Sequence, residues 1–313
     1  MKQLKETAAK IKSMEIRGAG RIARAAAAEL RDYAGRITTR DLDDFNKKMK
    51  CAADLLISTR PTAVSLPNAV RAVMRYVGEN PEEAKASVRK LADEFIAGSE
   101  NAVKKIGEIG ARRVRDGDTI MTHCNSSAAI SIMAEAHASG KNIKVIATES
   151  RPRMQGHLTI KQLDSLGIKT SLIVDSAVRY FMKDIDLVIM GADAVTANGS
   201  VINKIGTSQV ALAAHEARKN VIIAAETYKF SPGTLLGELV EIEERNSDEV
   251  ISKEKLSEFS NVRVKNPAFD ITPREYIDLI CTEVGAIPPE MAYVIIKEYL
   301  GWGLEEINSN WKL

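Results

Sequence analysis

The chain is poor in the residues that mark several common classes of protein. Aromatic residues fill only 5% of its 313 positions, which argues against the stacking platforms that bind single-stranded nucleic acid. Cysteine occurs three times, at Cys51, Cys124 and Cys281. The number is odd, the spacing is wide and no CxxC pair or Cys/His cluster occurs, so neither a disulfide framework nor a structural zinc site is indicated. A reducing, cytoplasmic setting fits that usage. The formal net charge is only +2, so the chain as a whole attracts neither nucleic acid nor a membrane surface, and any anion site must be built locally. No run approaches the roughly 18 consecutive apolar residues of a membrane span. The opening Met1-Lys2-Gln3-Leu4-Lys5-Glu6 has no apolar signal-peptide core. The glycine fingerprints of dinucleotide sites and of P-loops are also missing.

What remains is an ordinary globular composition, with 45% hydrophobic and 27% charged residues, and a length that suggests two domains. The first third reads as helical. Residues 7–30 are rich in Ala, Lys and Arg and are interrupted at Arg17-Gly18-Ala19-Gly20. Helical spacing returns over 38–57, with Thr38 and Asp41 placed to form a capping box. Asn80-Pro81-Glu82-Glu83 is a strong helix start, an Asn cap followed by Pro and two acids. That helix is expected to reach Phe95, and another to cover 100–114. From Asp118 the texture changes. Short β-branched runs at 119–122, 144–148, 171–174, 187–190, 221–225 and 262–265 alternate with helical stretches such as 155–166 and 201–217. Such alternation predicts an α/β fold, a helical domain over 1–114 followed by a parallel-sheet domain over 115–313.

Ligands of parallel sheets bind at the carboxyl ends of the strands. Residues that follow the predicted strands are therefore the site candidates. They are His123, Cys124 and Asn125, then Glu149 to Gly156, then Gly191-Ala192-Asp193, Asn203-Lys204, and Glu226 to Lys229. Cys124 lies where a strand passes into a helix. Helix N–H groups and the positive end of the dipole can lower a thiol pKa there from about 8.5 to roughly 3.5–7.5. Asp193, behind a buried strand, is a plausible acid because burial raises a carboxyl pKa. Each residue also has an ordinary structural reading. Cys124 alone is more simply a core thiol, Asp193 a turn former, His123 a satisfied histidine beside the sheet. Arg60, Arg151 and Arg153 read as solvated arginines, and Lys204 as a helical residue pointing outward. Cys51 and Cys281 sit in amphipathic patterns that place both in the core, and Asn198-Gly199 is a turn pair.

Several motifs occur together and in order: Arg17-Gly18-Ala19, Arg60-Pro61-Thr62, Thr122-His123-Cys124-Asn125, Glu149-Ser150-Arg151-Pro152-Arg153-Met154-Gln155-Gly156, Gly191-Ala192-Asp193 with Ala197-Asn198-Gly199, Asn203-Lys204-Ile205-Gly206-Thr207, and Asn266-Pro267-Ala268-Phe269-Asp270-Ile271-Thr272-Pro273. This pattern resembles the superfamily that joins methylthioribose-1-phosphate isomerase, archaeal ribose-1,5-bisphosphate isomerase and the regulatory subunits of translation initiation factor 2B. The resemblance implies an N-terminal helical domain followed by a Rossmann-like domain. Initiation-factor subunits generally lack the catalytic Cys and Asp pair, whereas this chain has Cys124 and Asp193. Gly20-Arg21 after Arg17-Gly18-Ala19, and Ser126-Ser127-Ala128-Ala129 after Asn125, depart from the methylthioribose enzymes and are similar to the ribose-bisphosphate ones. Arg17, Arg21, Arg60, Arg151, Lys204 and Lys229 are more cations than one phosphate requires.

The resemblance then implies an aldose–ketose isomerase acting on a sugar phosphate in nucleotide (AMP) degradation, with Asp193 as acid and Cys124 as base. It implies substrate contacts from Arg17, Gly18, Ala19, Gly20, Arg60, Ser126, Ser127, Ala128, Asn203, Lys204 and Lys229. No metal or other cofactor is expected, and the domains are expected to close around the substrate. Partners are expected to be a small-molecule sugar phosphate and further copies of the chain in a dimer or hexamer, with no nucleic acid and no membrane. The alternatives are methylthioribose-1-phosphate isomerase and a non-catalytic subunit related to initiation factor 2B.

Overall fold

The computed structural model describes residues 1–16, 18–60, 64–236 and 240–302. Helices come first and a parallel-dominated sheet follows, the α/β architecture that the sequence texture predicts. The chain divides into two compact units. Among the described residues, one is Met1–Ala102 together with Tyr228–Phe230, and the other is Val103–Thr227 together with the chain from Ser231 to Trp302.

The first unit is helical: α1 (Lys2–Lys12), α2 (Ala19–Arg36), α3 (Leu42–Ile57), α4 (Ser65–Met74) and the first part of α5 (Pro81–Ala111). Its apolar stripes meet in a core that includes Leu4, Ile11, Ile22, Leu30, Phe45, Met49, Leu56, Leu66, Val70 and Val88. The predicted interruption between α1 and α2 is present, and Gly18 supplies the φ of +91° that begins α2. The Asn80 cap also forms. Its Oδ1 accepts from the N–H groups of Glu82 and Glu83, and Glu83 reaches back to the Glu79 N–H, which satisfies donors that the helix itself cannot.

Three helical expectations need correction. Thr38 caps nothing, because Asp41 takes the cap of α3 by accepting from the Asp43 N–H. The helices expected to end at Phe95 and to restart at Glu100 are one 31-residue helix, since Gly98 and Ser99 are tolerated where packing supports the turn. Cys51 is exposed rather than core, because the buried stripe of α3 runs through Phe45, Met49, Ala52, Ala53 and Leu56.

The second unit is built on β1 (Thr119–Thr122), β2 (Lys144–Thr148), β3 (Lys169–Ile173), β4 (Leu187–Gly191), β5 (Ala194–Thr196), β6 (Val201–Lys204), β7 (Asn220–Ala224), β8 (Phe230–Ser231, of which only Ser231 belongs to this unit), β9 (Phe269–Thr272), β10 (Leu279–Thr282) and β11 (Gly285–Ile287). Its larger sheet runs β11-β10-β7-β4-β1-β2-β3, parallel except for β11. β5, β6 and β9 pair antiparallel. Helices α6 (Ser127–Ala138), α7 (Gly156–Ser165), α8 (Val178–Phe181) and α9 (Thr207–Glu216) connect strands. The core gathers Ile120, Ile132, Met133, Val145, Leu163, Ile189, Ile222 and Cys281.

The run at 262–265 forms no strand. It is exposed but for one half-buried residue, and the strands of that region are β9 and β10. The stretch 201–217 is two elements, β6 and α9, because Asn203 and Lys204 pair with Asp270 and Phe269 of β9, a partner distant in sequence. Among the described residues no helix is long and apolar enough to cross a membrane.

The two outlying cysteines separate the expectations cleanly. Cys51→Ser should change stability by less than about 0.5 kcal/mol. Cys281→Ser, at a fully buried position of β10, should cost about 1–3 kcal/mol because it buries a hydroxyl. Thermal melts of the two variants measure both, and equal costs would contradict the placement.

Candidate active site

Strand order locates the site. From β1 the chain builds β2 and β3 on one side, and β4, β7 and β10 on the other. β1 and β4 therefore flank a topological switch point, and ligands of open α/β sheets bind in the crevice beyond the carboxyl ends of such strands. Cys124 follows β1 and Asp193 follows β4. Gly191 at the end of β4 lets the strand approach Ser126, since a Cβ there would lie 2.3 Å from Ser126 Oγ.

Cys124 is tightly held. Its φ is +67°. Its N–H donates to Ser150 Oγ at 2.7 Å, and its carbonyl accepts from Thr159 Oγ1 at 2.7 Å. Asn125 Nδ2 donates to the same Thr159 oxygen at 3.0 Å. The expectation of a loosely held proton is corrected. Burial pushes the thiol up to about 12, and the carboxylates of Asp193 and Asp175 add to the rise. The Asn125 N–H and the charge of Lys204 oppose it but do not overcome it. Part of the helix start is also taken by the chain, since Ser126 Oγ caps α6 by accepting from the Ala129 N–H. Ser127 is exposed and Ala128 buried in the first turn.

Asp193 is half-buried between β4 and β5, its N–H donating to the Ile202 carbonyl. Asn203 and Lys204 stand on β6, both more than nine-tenths buried. Lys204 is thus not an outward helical residue. Its Nζ donates to the Ala268 carbonyl at 2.9 Å and lies 4.9 Å from the centre of the Phe269 ring. Burial lowers its pKa, while Cys124 and Asp193 pull it back up. Cys124 and Lys204 each lie within electrostatic reach of the other and of Asp193, so the three candidates share one neighbourhood of the second unit. Asn203 Nδ2 donates to Thr207 Oγ1.

Other candidates are placed as follows. Gly18 caps α2, and Ala19 and Gly20 open that helix in the first unit. Arg60 is half-buried after α3, with its guanidinium 3.0 Å from Met14 Sδ. Lys229 is buried in the first unit, in a segment clamped by Asn68, whose amide donates to the carbonyls of Tyr228 and Phe230. Arg17 lies outside the described residues. Arg21 is exposed. Arg151 reaches the Val250 carbonyl, and Arg153 pairs with Glu249 at 2.8 Å. Cys281 is core and His123 is satisfied by partners on both ring nitrogens. Among the described residues no group of three His, Cys, Asp or Glu side chains is arranged to hold a metal.

Some groups near the thiol have no assigned role in the sequence reading. Ser150 and Gln155 lie in a quoted motif but were not singled out, and Gln155 Oε1 is buried without a protein partner among the described residues. Asp175 follows β3, an edge strand after which the sequence reading names no candidate, and accepts from the Ser150 and Arg151 N–H groups. Asp270 accepts from the N–H groups of Gly206 and Ser208 and so caps α9.

The chain matches the initiation factor 2 subunit family over residues 15–289. It is 59% identical to the ribose 1,5-bisphosphate isomerase of Archaeoglobus fulgidus, over 98% of this chain and 96% of that one. It is 56% identical to the protein of the same name from Methanocaldococcus jannaschii, over 96% of each. The methylthioribose-1-phosphate isomerase of Acetivibrio thermocellus is 37% identical over 92% of this chain and 89% of its own length. Among solved structures, translation initiation factor eIF-2B of Pyrococcus horikoshii OT3 superposes with a TM-score of 0.79 at 30% identity, covering 92% of this chain and 98% of that one.

Asp270 gives the site a pH signature. Burial raises its carboxyl from 3.8 to about 6 against the pull of three N–H groups. A raised acid stabilises the fold when protonated. Its contribution is full below the unfolded value and is lost as pH rises through the folded one. The melting-temperature difference between the wild type and Asp270→Asn should therefore fall as pH increases from 3.8 through about 6. A difference that is flat or rising across that window would contradict the assignment.

Proposed function

The chain belongs to the initiation factor 2 subunit family, and within it we propose that the protein converts α-D-ribose 1,5-bisphosphate to D-ribulose 1,5-bisphosphate. It is an isomerase, like the relatives it matches over nearly their full length. The observation that carries the substrate is the margin of identity between relatives named for ribose 1,5-bisphosphate and those named for methylthioribose 1-phosphate. The fold alone does not distinguish them, because structures titled as initiation factors share it.

The chemistry is set by the anomeric phosphate. A sugar phosphorylated at C1 has no free hemiacetal, so its ring does not open as in ordinary sugar isomerases. Asp193 is proposed to protonate the ring oxygen as its bond to C1 breaks. Cys124, as thiolate, is proposed to remove the C2 proton, giving an enol that still bears the C1 phosphate. The C2 hydroxyl proton returns to the Asp193 carboxylate and the Cys124 thiol gives its proton to C1, which yields the ketose and restores both groups. A proton leaves C2 and one arrives at C1, so no redox partner is consumed. Each acid or base step contributes roughly 10²–10⁴-fold.

Lys204 supports the base role, because its charge is the nearby cation that lowers the Cys124 pKa. Ser126, Ser127 and Ala128 at the start of α6 suit a phosphate, since helix N–H groups and the dipole favour an anion there. Asn203 and Lys204 complete the proposed binders of the second unit. Arg17, Gly18, Ala19, Gly20, Arg60 and Lys229 are the proposed binders of the first. A homo-oligomer, dimer or hexamer, and a place in AMP degradation belong to the same reading.

Incubation of the pure protein with each sugar phosphate, read by ketose formation, tests it. Ribose 1,5-bisphosphate should turn over and methylthioribose 1-phosphate should not. The reverse preference, or no turnover of either, would overturn the proposal. Cys124→Ala and Asp193→Asn should each lower kcat by roughly 10²-fold or more with binding largely kept. Near-normal turnover in either variant would remove that residue from the chemistry.

A further inference from the structure

The backbone around the thiol is strained on both sides of one hydrogen bond. Cys124 has φ +67° and Ser150, which faces it, has φ +60°. Non-glycine residues rarely adopt this region and keep it only where neighbours over-determine it. Here the neighbours are specific. Ser150 Oγ accepts the Cys124 N–H, Thr159 Oγ1 holds the Cys124 carbonyl, and Asp175 Oδ1 accepts the Ser150 N–H at 2.8 Å. Ser150 is fully buried. In this conformation the next N–H, that of Asn125, acts on the thiol and favours its charged form.

The direction of every hydrogen bond behind Ser150 follows from one carbonyl. Ile205 O, 2.8 Å from His123 Nε2, can only accept, so Nε2 carries the ring proton. Burial pushes the imidazole below its ordinary pKa and keeps it neutral, which leaves Nδ1 as an acceptor. Thr148 Oγ1, 2.6 Å away, must then donate to Nδ1. Its own lone pairs face Ser150 Oγ at 3.3 Å. The Ser150 hydroxyl thus donates toward Thr148 and presents lone pairs to the Cys124 N–H. Gly206 permits the arrangement, since a Cβ there would lie 2.8 Å from the His123 ring.

We propose that Ser150 is a positioning residue for Cys124, its hydroxyl, oriented by Thr148 and His123, holding the left-handed turn that sets the thiol and the N–H group that follows it. The inference rests on the reading of Cys124 as the base. A donor on sulfur favours the thiolate. Without the Ser150 hydroxyl the Cys124 N–H loses its partner, the strained turn relaxes, and the Asn125 N–H no longer favours the charged thiol. The charged groups that act on the thiol, Lys204, Asp193 and Asp175, are untouched by removal of one hydroxyl.

Ser150→Gly separates the hydroxyl from the backbone, because glycine adopts positive φ freely. Thr148→Val is the second variant. It keeps Ser150 and the β-branched shape of the strand residue while breaking the relay. The first readout is the pH dependence of Cys124 alkylation by iodoacetamide, with peptide mass mapping to separate Cys124 from Cys51 and Cys281. Ser150→Gly should slow Cys124 labelling at fixed pH roughly tenfold. Thr148→Val should act in the same direction. The second readout is turnover of ribose 1,5-bisphosphate, where kcat should fall roughly 10- to 100-fold with KM within about threefold. An unchanged alkylation profile in Ser150→Gly overturns the positioning role, even if wild-type turnover is normal. An unchanged profile in Thr148→Val overturns the relay. If the wild type does not isomerise the bisphosphate but Ser150→Gly still slows labelling, the substrate reading falls and the positioning role stands.

Discussion

Desolvation at the carboxyl edge of the parallel sheet is the constraint from which the site follows. A thiol, an ammonium group, an imidazole and a carboxyl are gathered where little water reaches, and burial drives each toward its neutral form. The thiol of Cys124 rises to about 12 and Asp270 to about 6, while His123 and Lys204 move down. A catalyst that needs a thiolate must therefore recover its charge from specific neighbours. The two that favour it are the Asn125 N–H and the charge of Lys204. Both depend on backbone held in place by residues far along the chain.

Those residues are the ones that carry polar side chains into the interior. Ser150 and Thr159 fix the Cys124 turn from the segments after β2 and within α7. Asp175, after β3, fixes Ser150. Asp270, on β9, caps α9 and so sets the turn that follows Lys204. Ser150, Thr159, Asp175 and Asp270 are each paired, and an unpaired buried group would cost about 1–3 kcal/mol. The pairing rigidifies the edge in the same act. Beside Cys124 and Lys204 the helix starts are capped by the chain itself, α6 by Ser126 and α9 by Asp270, and the remaining donors of α6 are the place proposed for a substrate phosphate.

Much of this was legible before the structure. β-branched runs located β1, β2, β4 and β7 to within a residue, because strands buried on both faces read as continuous apolar runs. Strand-end logic then picked out Cys124, Asp193 and Lys204. What escaped had a common origin. Lys204 reads as helical because Val201 to Ala217 is apolar at helical spacing, and only pairing with β9 makes its first residues a strand. Cys51 reads as core because the stripe of α3 is wide enough to include it, and only the packed partner helices decide which edge is covered. Ser150 and Asp175 carry no pattern of their own, since their roles come from contacts across two different strand ends.

The sequence by itself determined that helices precede a parallel sheet, the positions of β1, β2, β4 and β7, and the family to which the motifs belong. These are properties of local propensity, hydrophobic period and motif order, which survive without a partner. The tertiary structure decided the raised pKa of Cys124, the burial of Lys204 and the left-handed backbone at Cys124 and Ser150. Desolvation and hydrogen-bond direction depend on atoms brought together from β1, β2, β3, β6 and β9, and no window of the sequence contains that neighbourhood.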